Sequence, residues 1–397
     1  MSDFTKGNHL SVIVIALLVF ALWGTRTSAE EPAPEAVLAV LPFLDFPEPN
    51  RIIVDLAPEG SAKPLRLMLD TGASHSVMTP LAARELGVQV RRIKQDPYRR
   101  PTRLGRDLLF FVDARVTDTG SKTGWEYGLL GGNFLADYVV ELDFPAHRVR
   151  LLDPKRYAVP PATSAQEEAV VPLRVVGQRP GVEVTLNGKN FVVMLDTGAP
   201  WSAVISGELA RRAEITSERI AGLEAGTAYG PMQVELAETG KFTIGPFEFV
   251  NVPLLVAPKG WHNAGFAGDS VVGYDLLSQF VLRVDYPNQR LWMRRDPAAK
   301  LTIFSADAAV FRESGLLLIP ERDHFLAYLV RPGSAGERRG LRQGDWIAGM
   351  LSAEAIAKTL REGQELTVIR NADGVGVDTV LEAVEPPPAV SAPPQNP

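Results

Sequence analysis

The 397-residue chain has no cysteine, which excludes a disulfide framework, a catalytic thiol and any cysteine-ligated metal. Its five histidines, His9, His75, His147, His262 and His324, stand far apart without ligand spacing, so neither a metal site nor a cofactor is read. A G-x-x-x-x-G-K phosphate loop is missing, and "RPGSAG" is not a nucleophile elbow. There is no basic excess: 41 Lys and Arg against 47 Asp and Glu leave a net charge of −6, which speaks against a nucleic-acid partner. Long hydrophobic runs are scarce as well. The most extended, Leu10 to Gly24, has about 15 mostly apolar residues, short of the ~18–20 that a spanning helix needs.

That run follows Lys6 and precedes "TRTSA", with Thr27 and Ala29 at the −3 and −1 positions of a cut before Glu30. Residues 1–29 therefore read as an export signal, with an uncleaved membrane anchor as the alternative. In either case the bulk of the chain is expected outside the cytoplasm. Residues 30–44 read as a linker, and the Pro-rich end, residues 385–397, as a disordered tail.

Between the ends lies a duplication. "MLDTGA" occurs at residues 68–73 and again at 194–199. Upstream of each copy an alternating strand, a turn and a second apolar strand run into the motif, with Asn187-Gly188 marking the tight turn in the second. Downstream, "MTPLAARELGV" and "ISGELARRAEI" both have the spacing of a short amphipathic helix. Further on, "GLLGGNFLADYVVELDFP" matches "SVVGYDLLSQFVLRVDYP", and 12 residues separate Gly131 from Asp143 just as they separate Gly273 from Asp285. The copies span 45–157 and 168–298, joined by a linker at 158–167. Many short strands predict a mainly β protein built of barrels or sandwiches. A third DTG, Asp118 to Gly120, has Arg115 close before it, no apolar strand leading in and only 11 residues to Gly131, so it reads as a turn.

A carboxylate at the end of a buried apolar strand must find hydrogen-bond partners. Thr71 and Thr197 can offer hydroxyls, and Gly72 and Gly198 let backbone N–H groups come close. One such loop has no evident chemistry. Two of them about an approximate twofold axis would bring Asp70 and Asp196 face to face, where like charges share one proton. One carboxylate can then activate water while its protonated partner donates to the carbonyl under attack.

With these motifs the chain resembles the pepsin and retroviral-protease superfamily of aspartic proteases, in a bacterial, exported form with both halves on one chain. The resemblance covers both repeats and rests on Asp70-Thr71-Gly72-Ala73 with "GLLGG" and Asp196-Thr197-Gly198-Ala199 with "VVGYD". It implies a pair of retropepsin-like β-barrel lobes and a catalytic dyad of Asp70 and Asp196. It also implies that Thr71 and Thr197 bond across the dyad, and that Leu129-Leu130-Gly131 and Val271-Val272-Gly273 pack behind the aspartate loops. Family members close the cleft with a hairpin flap, which makes Tyr98 and Tyr229 the candidate substrate-binding tyrosines. The basic stretch around Tyr98, from Arg91 to Arg106, reads as a solvated loop, or as a preference for acidic substrates if it overhangs the cleft. Pepsin-like enzymes commonly carry Ser or Thr where this chain has Ala73 and Ala199. Without that hydroxyl the dyad should titrate higher, which predicts a mildly acidic to neutral optimum. His75 and Trp201 follow their aspartates at the same spacing and read as packing residues, with a place lining the cleft as the alternative.

Residues 299–384 change character. Gly315-Leu316, Pro332-Gly333-Ser334-Ala335, Gly340-Leu341 and Gly344-Asp345-Trp346-Ile347 resemble a small α+β PDZ domain of the bacterial protease type. The resemblance implies capture of polypeptide C-termini by strand addition. Together these readings predict a periplasmic aspartic endopeptidase whose partners are polypeptide substrates and a C-terminal peptide ligand. The alternatives are a catalytically inactive relative that only binds peptides, and a dimer in which each copy pairs with its twin in another chain.

Overall fold

The computed structural model describes residues 32–44, 50–58, 64–79, 98–104, 108–116, 128–160, 167–227, 230–258, 270–299, 307–321, 324–350, 352–372 and 375–381. The signal, the Pro-rich tail, the third DTG, the helix predicted after Met78 and Tyr229 lie outside them.

The first lobe holds β1 (Val37–Pro42), β2 (Ile53–Pro58), β3 (Leu65–Leu69), β4 (Ser76–Met78), β5 (Tyr98–Leu104), β6 (Leu108–Val116), β7 (Gly128–Leu130), α1 (Gly132–Leu135), β8 (Val139–Asp143) and β9 (Arg148–Leu152). The second repeats the order with β10 (Glu168–Val176), β11 (Arg179–Leu186), β12 (Lys189–Asp196), β13 (Ala203–Ser206), α2 (Gly207–Arg212), β14 (Ser217–Thr227), β15 (Gly230–Ile244), β16 (Phe247–Ala257), β17 (Val271–Gly273), α3 (Tyr274–Leu277), β18 (Phe280–Asp285) and β19 (Arg290–Arg295). In lobe 1 the ring β2-β3-β7-β4-β6-β5 closes into a barrel. In lobe 2 the corresponding ring β11-β12-β17-β13-β16-β15 closes through the β11–β15 pairing. The fold is mainly β, with one barrel per sequence repeat, and the copies pair within a single chain.

Alternation along the motif strands explains how each lobe is built. In β12, Phe191, Val193 and Leu195 enter the main core, while Val192 and Met194 face the side on which Asp196 stands. In β3, Leu65, Leu67 and Leu69 enter that core and Met68 faces the side of Asp70. A one-residue slip would bury the aspartates in the core, so the apolar pattern itself fixes where they point. Asn187 and Gly188, at φ 48 and 81, make the tight β11–β12 turn that the Asn-Gly pair predicts.

The lobes are joined by one six-stranded antiparallel run, β1-β9-β8-β18-β19-β10. Its seam is β8 against β18, where Glu141 stands opposite Arg283. Residues 37–42, read from sequence as part of a linker, form the outer strand β1. One face of this sheet is apolar and joins the main core through Val140, Leu142, Leu282, Val284, Leu291 and Met293. The other carries a buried ionic group: Glu141 accepts from Arg150 Nε and, at 2.7 Å, from Arg283 Nε. Arg283 also lies 4.3 Å from the Trp292 ring centroid and 5.6 Å from that of Tyr157.

The third unit holds α4 (Asp307–Ser314), β20 (Leu316–Glu321), β21 (His324–Val330), α5 (Ala335–Arg338), β22 (Trp346–Ala348), α6 (Ala353–Arg361), β23 (Leu366–Ala372) and β24 (Val375–Leu381). The strands form one antiparallel sheet in chain order. Buried Asp345 takes Arg370 in a two-pronged ion pair and also accepts the Arg342 N–H. The unit docks on lobe 2. Phe311, Leu317 and Leu329 share an apolar cluster with Met194, Trp201, Leu223, Val234 and Val271. The Trp201 and Tyr328 rings meet edge to face at 5.3 Å.

Candidate active site

Each aspartate is delivered by the same device. β3 runs parallel to β7, with Leu69 beside Leu130, and β12 runs parallel to β17, with Asp196 beside Gly273. The motif then turns sharply, and the glycine-ended strand braces it: Gly132 N donates to Ala73 O at 2.8 Å, and Tyr274 N to Ala199 O at 2.7 Å. Gly131 and Gly273 are needed for this approach. A Cβ on the first would lie 2.6 Å from His75 O, and on the second 2.1 Å from Trp201 O.

The loops clasp each other across the two copies. Thr71 Oγ1 donates to Leu195 O at 2.8 Å and accepts from Thr197 N at 3.1 Å. Thr197 Oγ1 donates to Leu69 O at 2.7 Å and accepts from Thr71 N at 3.1 Å. All four bonds are buried. Substituting Thr197 by Val keeps the volume but strands the Thr71 N–H and the Leu69 carbonyl. Urea unfolding should show a loss of about 1–3 kcal/mol, the usual cost of buried groups left unpaired, with most of it recovered in Thr197→Ser.

The glycines seat the carboxylates. A Cβ on Gly72 would lie 2.4 Å from Asp196 Cγ, and one on Gly198 would lie 2.7 Å from Asp70 Cγ. Each carboxyl therefore rests against the backbone of the opposite loop, and the two carboxyls are within hydrogen-bond reach of one another. Their surroundings differ. Asp70 Oδ1 accepts from Gly72 N at 2.9 Å and Ala73 N at 3.0 Å, whereas Asp196 Oδ1 accepts from Gly198 N at 2.9 Å. Burial pushes both up from the ordinary carboxylate value. For Asp70 this is opposed by the hydrogen bond with Asp196 and by its backbone donors. Asp196 is raised further, because the Asp70 charge adds to its burial. Two buried carboxyls this close can share one proton, and the second backbone donor on Asp70 favours the charge there.

Residues 182–276 match the family model described as Aspartyl protease. The matched segment runs from β11 through Asp196-Thr197-Gly198 to α3. No curated protein matches. Among solved structures the chain is similar to a retropepsin-like aspartic protease from Rickettsia conorii, at 20% identity over 32% of this chain and 90% of that one, TM-score 0.24. It is also similar to an aspartic proteinase from Irpex lacteus, at 13% identity over 66% of this chain and 98% of that one, TM-score 0.40.

In the aspartyl protease-like second lobe, β14 and β15 form the expected hairpin, with Thr227 opposite Gly230. Tyr229 falls in the connection outside the described residues. Tyr98 does not take a flap-tip position. It starts β5 opposite Ala114, at the far end of the β5–β6 hairpin from its turn, because β5 and β6 close the barrel. Trp201 is buried and His75 is exposed with its Nδ1 at 3.0 Å from Ser74 Oγ. The repeat comparison passed over Asn133 and Asp275, which stand two residues after the paired glycines. Asn133 Oδ1 accepts from Ser76 N and Oγ, and Asp275 accepts from Ser202 Oγ. Each ties the helical turn to the segment after the motif; the alignment on Gly131 and Gly273 sets Asn133 opposite Asp275, but nothing in the two letters says that each accepts from a serine 57 or 73 residues away.

Proposed function

We propose that the chain is an aspartic endopeptidase. The observation that carries this reading is the reciprocal clasp of Thr71 and Thr197, which sets Asp70 and Asp196 against each other in one buried site. A water held between the carboxyls gives a proton to ionised Asp70 as its oxygen attacks the peptide carbonyl carbon. Protonated Asp196 meanwhile donates to the carbonyl oxygen. In the resulting gem-diol, Asp70 returns its proton to the amide nitrogen, the C–N bond breaks, and one hydroxyl proton restores Asp196. A mildly acidic to neutral optimum is supported by the raised titration of both carboxyls and by the alanines at 73 and 199, which offer them no hydroxyl.

The third unit is proposed as a PDZ-like module that captures polypeptide ends. Its docking through Phe311 and Tyr328 on the flap-bearing lobe supports communication between capture and cleavage. A periplasmic place, free or anchored at the inner membrane, is proposed on the signal-like N-terminus together with the PDZ-like module. The test is hydrolysis of a mixed peptide library by the full chain across pH 3–8, with and without a statine-type transition-state analogue. Cleavage between about pH 4 and 7, blocked by the analogue in preference to a matched peptide, is expected. Cleavage insensitive to it, or an optimum below about pH 3, would refute the proposal.

A further inference from the structure

Two arginines occupy the same place in the two copies. Ile53 pairs with Met68 and Gly181 with Met194, so Asn50-Arg51 corresponds to Gln178-Arg179. Asn50 and Gln178 both have left-handed backbone, φ 60 and φ 66, which residues other than glycine rarely adopt. Both reach the opposite copy. Asn50 Nδ2 donates to Pro200 O at 3.3 Å, and Arg51 Nη1 donates to Gly198 O. On the other side the Gln178 carbonyl packs on Gly132, where a Cβ would lie 2.2 Å from it. The reach of the first copy ends on the loop that carries Asp196.

We infer that Arg51 is a positioning residue of the dyad: it fixes the Asp196 loop through the Gly198 carbonyl and holds a permanent positive charge beside both carboxyls. The inference rests on the aspartic-dyad reading. Its charge opposes the rise that burial imposes on Asp70 and Asp196 alike. Among the described residues Arg51 and Tyr286 act electrostatically with the two carboxyls, and the buried Tyr286 phenol is pushed far above its ordinary range by burial and by the Asp70 charge. Tyr286 therefore stays neutral wherever the enzyme works, and Arg51 stays charged. Removing the guanidinium takes away one of the influences that oppose this rise and leaves only the hydrogen bonds to the carboxyls against it. The dyad then loses its first proton at a higher pH, and the acid limb of kcat/KM moves up.

The experiment compares full-length wild type, Arg51→Gln and Arg51→Lys in kcat/KM against pH, with thermal melts to verify folding. In Arg51→Gln the acid limb should rise by about one pH unit, the low end of what a neighbouring charge supplies. Arg51→Lys should keep the limb within about 0.3 units while lowering the plateau, since it retains charge but not the fork that holds Gly198. An unmoved limb in folded Arg51→Gln, with activity scaled equally at every pH, would overturn the inference. If Arg51→Gln does not fold, a limb displaced upward in Arg51→Lys would do so. Should wild type show no analogue-sensitive cleavage, the dyad reading fails separately. NMR titration of the Asp70 and Asp196 carboxyls in wild type and the folded variant then decides, with raised midpoints in the variant expected and unchanged midpoints refuting.

Discussion

Asp70→Asn and Asp196→Asn should each lower kcat/KM by about 10³-fold or more, because either change removes one half of the proton traffic between water and the carbonyl oxygen. Asparagine preserves the shape that fits against Gly72 and Gly198, so the loss is chemical and not steric. The double variant should be little worse than the singles, as expected for groups acting as one unit. Stability should move the other way. Both carboxyls titrate above their unfolded values, so their contribution is fully present below about pH 4 and is lost as pH rises through the folded-state values. Asp196→Asn removes the group raised most. It should melt a few degrees above wild type at pH 7, with the gap closing toward pH 4. Melts and initial rates on the same preparations check both halves. A variant that keeps a tenth of wild-type activity, or a gap that widens on acidification, would contradict this assignment of the site.

Much of this site was legible because it is written twice. A strand that alternates into "LDTGA" twice, followed each time by two apolar residues and a glycine, fixes both the direction in which Asp70 and Asp196 point and the brace behind them. The rest depends on partners far away in the chain. β8 and β18 carry apolar residues on one face and Glu141 and Arg283 on the other, and nothing local says that they pair with each other. β1 is short and lies beyond a Pro-containing lead-in, so its place beside β9 shows only when the sheet is assembled. Tyr98 is a flap candidate only because the family resemblance implies a hairpin in that stretch, yet barrel closure claims the strand it begins. Asn50 and Gln178 share a backbone conformation with no shared residue type, so comparing letters could not pair them.

The seam between the lobes carries the second large effect: Glu141→Gln should destabilise the chain by about 3–5 kcal/mol, the usual cost of breaking a buried ion pair from one side. Glu141 is fully buried between Arg150 and Arg283, and Arg283 itself is 1% exposed. Without the carboxylate, the two buried guanidiniums lose the counter-charge they share beside Tyr157 and Trp292. The reverse change, Arg283→Met, should cost less, because Arg150 still neutralises Glu141 and the methionine stem can occupy the space over Trp292. This ordering separates an electrostatic seam from mere packing, which would penalise loss of the larger side chain more. Urea unfolding of both variants reads it directly, and Glu141→Gln within about 1 kcal/mol of wild type would sink the argument. The two lobes meet at this seam, at the threonine clasp and in the core cluster they share, and the facing of Asp70 and Asp196 depends on these contacts. Activity of Glu141→Gln should accordingly fall at urea concentrations where wild type still cleaves, ahead of any loss of barrel structure within either lobe.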